Sequence, residues 1–90
     1  MVRVGLIIEG RVQGVFYRAY TQKEAQNYQI TGYVRNLPNG DVEVVAEGEE
    51  KAIKKLIEWC SKGPSYAYVK KVNVKWEEYI GEFDHFLISY

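Results

Sequence analysis

Apolar and polar positions alternate from the start of the chain. Val2, Val4, Leu6 and Ile8 fall on one side, and Arg3, Gly5, Ile7 and Glu9 on the other. A period of two predicts a strand with one buried face, which Gly10 is expected to stop. From about Tyr17 to Tyr28 there is no glycine or proline, and Tyr17, Thr21, Glu24 or Ala25, and Tyr28 recur at helical spacing. The pattern predicts a helix with a thin apolar stripe. Ile30 to Leu37 reads as a second strand. Leu37-Pro38-Asn39-Gly40 reads as a tight turn, because proline presets φ and Asn-Gly accepts the positive φ of a hairpin. Val42, Val44 and Ala46 then alternate with Asp41, Glu43 and Val45 as a third strand. Glu49 and Glu50 open a second helix at its positive end. Ile53, Leu56, Ile57 and Cys60 supply its stripe, and Gly63-Pro64 ends it. Val69, Val72, Val74 and Trp76 mark a fourth strand, and Phe86, Ile88 and Tyr90 a short fifth.

The order β-α-β-β-α-β with one extra terminal strand predicts an α+β fold of the ferredoxin-like kind. It has an antiparallel sheet with both helices on one face. Strands 1 and 3 are then central neighbours and strand 2 pairs with strand 3, so strand 2 runs parallel to strand 1. The C-terminal ends of strands 1 and 2 meet at one edge of the sheet.

Ninety residues allow one well-filled core, so residues 1–90 are expected to form a single domain. Apolar residues make up 47% and aromatics 14%, enough for that core and too many for a disordered chain. Twelve basic and twelve acidic residues cancel, which leaves no electrostatic footprint for duplex DNA or RNA. One arginine in a pocket could still grip a phosphate. A lone cysteine, Cys60, excludes an internal disulfide and a cysteine-rich metal site; no cofactor is expected. Glu9 interrupts the opening apolar run too early for a signal peptide or a membrane-spanning helix. The expectation is a free-standing cytoplasmic monomer without membrane or nucleic-acid partners.

Candidate chemistry gathers after strand 1, where Gly10-Arg11-Val12-Gln13-Gly14-Val15-Phe16-Tyr17-Arg18 runs into the first helix. Two glycines four apart can curl the backbone so that successive N–H groups converge on an anion. The adjoining helix N-terminus adds free donors. Arg18, in the first turn, could fold its guanidinium fork over two phosphate oxygens. Asn36 ends strand 2 at the same sheet edge, where its amide could hold a water. Each feature also has an ordinary reading: glycine punctuation, a solvated helix arginine, a turn-forming asparagine.

Gly10 to Arg18 resembles the acylphosphatase-family signature G-R-V-Q-G-V-x-[FY]-R. Gly32-Tyr33-Val34-Arg35-Asn36, followed by Pro38-Asn39-Gly40-Asp41-Val42-Glu43, resembles the family's second signature. Weaker matches continue at Gly63-Pro64, Ala67, Val69, Trp76-Glu77-Glu78, Gly81-Glu82-Phe83, Phe86 and Ile88. The resemblance implies metal-independent hydrolysis of small acyl phosphates to a carboxylate and inorganic phosphate, the latter also an inhibitor. It further implies that Arg18 binds the phosphate and Asn36 orients the attacking water. The backbone N–H groups of Gln13, Gly14, Val15, Phe16, Tyr17 and Arg18 would cradle the phosphate oxygens. Two positions depart from the pattern. Asn27-Tyr28-Gln29 stands where the family often has glycine, so Asn27 or Gln29 has to cap the first helix, and Tyr17 stands where phenylalanine is common.

The other chemistry-bearing residues read as structural. His85 lies among Phe83, Phe86 and Leu87, far in sequence from the loop, and Cys60 completes an apolar stripe. Arg11, Arg35, the charge run Glu47 to Lys51 and Lys70-Lys71 read as solvated. The alternative function is a non-catalytic ferredoxin-like module for phosphate-containing ligands or RNA. Against RNA, strand 1 is mostly aliphatic and strand 3 lacks aromatics.

Overall fold

The computed structural model describes all 90 residues, Met1–Tyr90. Its elements are β1 (Val2–Arg11), α1 (Tyr17–Asn27), β2 (Thr31–Asn36), β3 (Val42–Gly48), α2 (Glu50–Lys62), β4 (Tyr68–Glu77) and β5 (Phe86–Ser89). The sheet order is β4-β1-β3-β2-β5. The first four strands pair antiparallel, as the chain pattern predicts. β5 adds parallel to β2, so the sheet is mixed rather than wholly antiparallel. The reason is the connection: residues 78 to 85 cross the open face of the sheet and deliver β5 to the far edge.

Alternation decides which face is buried. Val4, Leu6 and Ile8 of β1 and Val42, Val44 and Ala46 of β3 have no exposed surface, and Ile53, Leu56 and Cys60 of α2 close over them. Each valine, leucine or isoleucine among them contributes about 1.5–3 kcal/mol of transfer free energy. Val74 and Trp76 lie on the same side but stay 42% and 47% exposed, because β4 is an edge strand that α2 only partly covers.

Three details differ from the expectation. β1 does not stop at Gly10 but runs on to Arg11, with a register shift between Glu9 and Gly10 against β4. Gly10 is there for close approach: a Cβ would sit 2.1 Å from the Tyr68 carbonyl oxygen. It therefore belongs to a strand bulge and not to the curl of the loop. Glu47 is not on a solvated charge run; it is buried to 1% exposure under residues 80–82. Arg35 is exposed but not merely solvated, since it pairs with Glu43 at 2.6 Å.

The cap of α1 falls on Gln29. Its φ of 58° is left-handed; Gln29 N–H donates to the Gln26 carbonyl at 3.1 Å, and Ile30 N–H to the Ala25 carbonyl at 2.9 Å. That bond pair is a Schellman ending, with buried Ile30 and Ala25 in the matching apolar positions. A non-glycine residue in this conformation costs roughly 1–2 kcal/mol. Gln29→Gly relieves that strain but frees the unfolded chain, for a net gain of about 0.5–1 kcal/mol. A rise in the urea midpoint at unchanged slope is the expected result; an unmoved or lowered midpoint refutes it.

Candidate active site

Sheet register builds the site before any side chain does. Ile8 and Asn36 both lie opposite Val42, so the end of β1 and the end of β2 share one row on the helix-covered face. Past Arg11 the chain leaves the sheet as the loop Val12–Phe16 and turns into α1. Val12, 1% exposed, pins the start of the loop in the core. Tyr17 pins its end: the ring is 1% exposed and lies 5.6 Å from Trp59, and its hydroxyl donates to the Cys60 carbonyl at 2.7 Å. The phenol is thus committed to holding α1 on α2, and burial raises its pKa far above the ordinary range. The ring packs in the core, where phenylalanine would also fit.

Between these anchors the backbone alternates in handedness. Gly14 has φ 75° and Phe16 φ 62°, and Val15 between them is not positive. Gly14 has open space where a Cβ would go, so its glycine serves conformation alone. Alternation of this kind makes successive N–H groups converge into an anion nest. Phe16 takes the left-handed conformation without glycine's freedom while its ring stays 76% exposed, so local strain is stored where the loop meets the helix. Outside helices and strands, no backbone hydrogen bond is donated by any residue from Gln13 to Arg18. The first-turn N–H groups of α1 have no partner within the helix either, and no acidic residue occupies that turn to neutralise them.

Arg18, Asn36, Gly14, Phe16 and Tyr17 line one pocket of about 310 Å³, closed by Val12, Ala19, Ile88 and Tyr90. Arg18 is the only charged residue among them. Its guanidinium lies 4.8 Å from the centre of the Tyr90 ring, and Nη1 reaches the Ser89 carbonyl at a long 3.4 Å. One nitrogen is weakly engaged, and the rest of the fork stays available to an anion. Across the pocket, Asn36 Oδ1 is buried and accepts no hydrogen bond. Left unpaired, such an oxygen costs about 1–3 kcal/mol, so it marks a place where a donor belongs.

Two parts of this site were not visible along the chain. The contribution of β5, through Ser89 and Tyr90, depends on the parallel pairing that carries it to β2. The side chain of Gln13, expected to matter only for its backbone, donates from Nε2 to the Leu37 and Asp41 carbonyls at 2.8 Å each. The residues set aside stay outside the pocket. His85 is exposed near the sheet's other face. Cys60 is fully buried, and desolvation pushes its thiol up to about 12.

Comparison with known proteins agrees with this architecture. The acylphosphatase family model matches residues 4–88. An acylphosphatase from Syntrophus aciditrophicus is 51% identical over 90 residues, all of this chain and 94% of the relative. Among solved structures, an acylphosphatase from Bacillus subtilis superposes with a TM-score of 0.96 at 33% identity, covering 100% of both chains. One from Coxiella burnetii superposes at 0.88 with 42% identity, covering 98% of this chain and 92% of that one.

Proposed function

The chain belongs to the acylphosphatase family, and we propose that its hydrolysis of acyl phosphates divides between a phosphate cradle and a water-holding amide. The N–H groups of Gln13 to Arg18 and the Arg18 fork take the phosphoryl oxygens. Asn36 Oδ1 accepts a hydrogen bond from a water and so turns the water's own lone pair toward phosphorus, opposite the leaving oxygen. Water adds to phosphorus as the acyl C–O–P bridge breaks on the phosphorus side, releasing a carboxylate and inorganic phosphate. The water's proton passes to a phosphoryl oxygen. No carboxylate, imidazole or thiol lines the pocket to take it.

Positioning and charge stabilisation are what such a transfer needs, because a carboxylate leaves readily without a general acid. An arginine in a largely apolar pocket stabilises transition-state charge more strongly than one in bulk water. The orphaned buried oxygen of Asn36, on the same pocket as that arginine, is the observation that carries the reading. No helix is long and apolar enough to cross a membrane. The chain is proposed to act as one domain, a cytoplasmic monomer with a small acyl phosphate as substrate, inorganic phosphate as inhibitor and no nucleic-acid partner.

Asn36→Ala tests the division. We expect kcat for acetyl phosphate to fall about 100-fold while the inhibition constant of inorganic phosphate stays near that of the wild type. Folding stability should hold or rise, because an unpaired buried oxygen has been removed. Undiminished turnover would exclude Asn36 from the reaction.

A further inference from the structure

The proposed mechanism places two halves of one reaction on different segments: the phosphate on the loop before α1, the water on the residue that ends β2. Something has to fix the distance between them. Asn36 cannot do so itself, since its side-chain oxygen has no partner within the protein. The bond that spans the gap comes from Gln13. Its Nε2 donates to the Leu37 carbonyl at 2.8 Å and to the Asp41 carbonyl at 2.8 Å. Both hydrogens of the amide are therefore used, on the two carbonyls that close the turn directly after Asn36.

Those carbonyls are already fixed relative to one another. Leu37 N–H donates to Asp41 O at 2.8 Å and Gly40 N–H to Leu37 O at 3.2 Å. Gln13 thus grips a closed ring of backbone rather than a mobile tip. No other side chain from Val12 to Phe16 hydrogen-bonds to a different element. Two convergent bonds resist both sliding and rotation, which a single bond does not. The backbone N–H of the same residue begins the phosphate cradle, so the link from cradle to hairpin is one side chain long.

We infer that Gln13 is a positioning residue, whose side-chain amide sets the reach from the phosphate cradle to Asn36. The inference rests on the functional reading above and deepens it. Its consequence is a split between turnover and binding. The cradle and Arg18 stay intact without the Gln13 amide, so phosphate binding persists. The water held by Asn36 loses its line to phosphorus, and a displacement of about 1 Å can cost up to ~100-fold in rate.

A double-mutant cycle separates this role from simple hairpin stabilisation. Wild type, Gln13→Met, Asn36→Ala and the double variant are assayed for acetyl phosphate hydrolysis and for competitive inhibition by inorganic phosphate. Methionine keeps the length of the side chain and removes both donors. Gln13→Met is expected to lower kcat about 10- to 100-fold and to shift the phosphate inhibition constant less than about threefold. In the Asn36→Ala background the same change should lower kcat by no more than about twofold, because there is no longer an oriented water to misplace. An equal loss in both backgrounds, or a loss confined to phosphate binding, overturns the inference. Full turnover in Asn36→Ala overturns instead the functional reading on which it rests. If Gln13→Met does not fold, the cycle is run with Gln13→Asn, whose amide is one methylene short of both carbonyls, and the same outcomes decide.

Discussion

Arg18→Ala is expected to lower kcat/KM by about 10³- to 10⁵-fold, the range an arginine contributes when it neutralises charge on a transferring phosphoryl group. The loss should appear in binding as well as in turnover. Arg18 is the only charged side chain in the pocket, so the variant leaves the anion to the backbone N–H groups alone. Competitive inhibition by inorganic phosphate should therefore weaken together with kcat, in contrast to Asn36→Ala. Arg18→Lys should recover only part of the loss, since an ammonium restores charge but not the fork. Stability should change little: the hydrogen bond to Ser89 is 3.4 Å long and Tyr90, over which the guanidinium lies, is 98% exposed. Isothermal titration with phosphate and steady-state assays on acetyl phosphate read both effects. Unaltered phosphate affinity in Arg18→Ala would remove the residue from the site.

How far the chain itself disclosed this arrangement follows from where the information lies. β1, β3 and α2 were legible because each has one buried face, and burial writes a period of two or 3.6 into the residues. The convergence of Arg18 and Asn36 was legible at one remove: strand order places both at one sheet edge, and the register Ile8–Val42–Asn36 realises it. Gly10 is ambiguous in the sequence because a glycine in a bulge and a glycine in a loop look alike along the chain. Only the approach of the Tyr68 carbonyl distinguishes them. The clamp of Gln13 could not be read at all, since its acceptors are backbone carbonyls 24 and 28 residues away. Backbone acceptors carry no residue identity. The burial of Glu47 is hidden for a related reason: a glutamate followed by further charged residues looks solvated until a remote segment folds over it.

That segment gives the second large expected effect. The Glu47 carboxylate accepts from the N–H groups of Ile80 at 2.9 Å, Gly81 at 3.1 Å and Glu82 at 3.2 Å, and pairs with Arg3 at 3.2 Å. Arg3 in turn pairs with Glu77 and Glu82 and lies 5.2 Å from the centre of the Phe83 ring. The crossing from β4 to β5 is thereby fastened to the centre of the sheet, and β5 supplies Ile88 to the pocket. Glu47→Ala leaves Arg3 its pairs with Glu77 and Glu82 but strips the N–H groups of Ile80, Gly81 and Glu82 of their acceptor. At about 1 kcal/mol or more for each bond lost, it is expected to cost roughly 3–5 kcal/mol. Glu47→Gln, which keeps the shape and one acceptor, should lose about 2 kcal/mol. Desolvation by itself raises the carboxyl's pKa, but the hydrogen bonds from Ile80 and Gly81 and the pair with Arg3 prevail, and the net shift is downward. A folded pKa below the unfolded one stabilises the protein above the ordinary glutamate range, and that contribution is lost as pH falls through the folded value. Wild-type stability should therefore decline below about pH 4.5, near the unfolded glutamate value. Glu50, held down by its bond to Lys54, adds to the decline with the same sign. The difference between wild type and Glu47→Gln isolates the buried group. It should be largest at neutral pH and shrink on acidification, as read from urea unfolding at a series of pH values. A difference that stays constant from neutral pH to pH 2 would mean that the clasp holds the crossing segment by packing and not by charge.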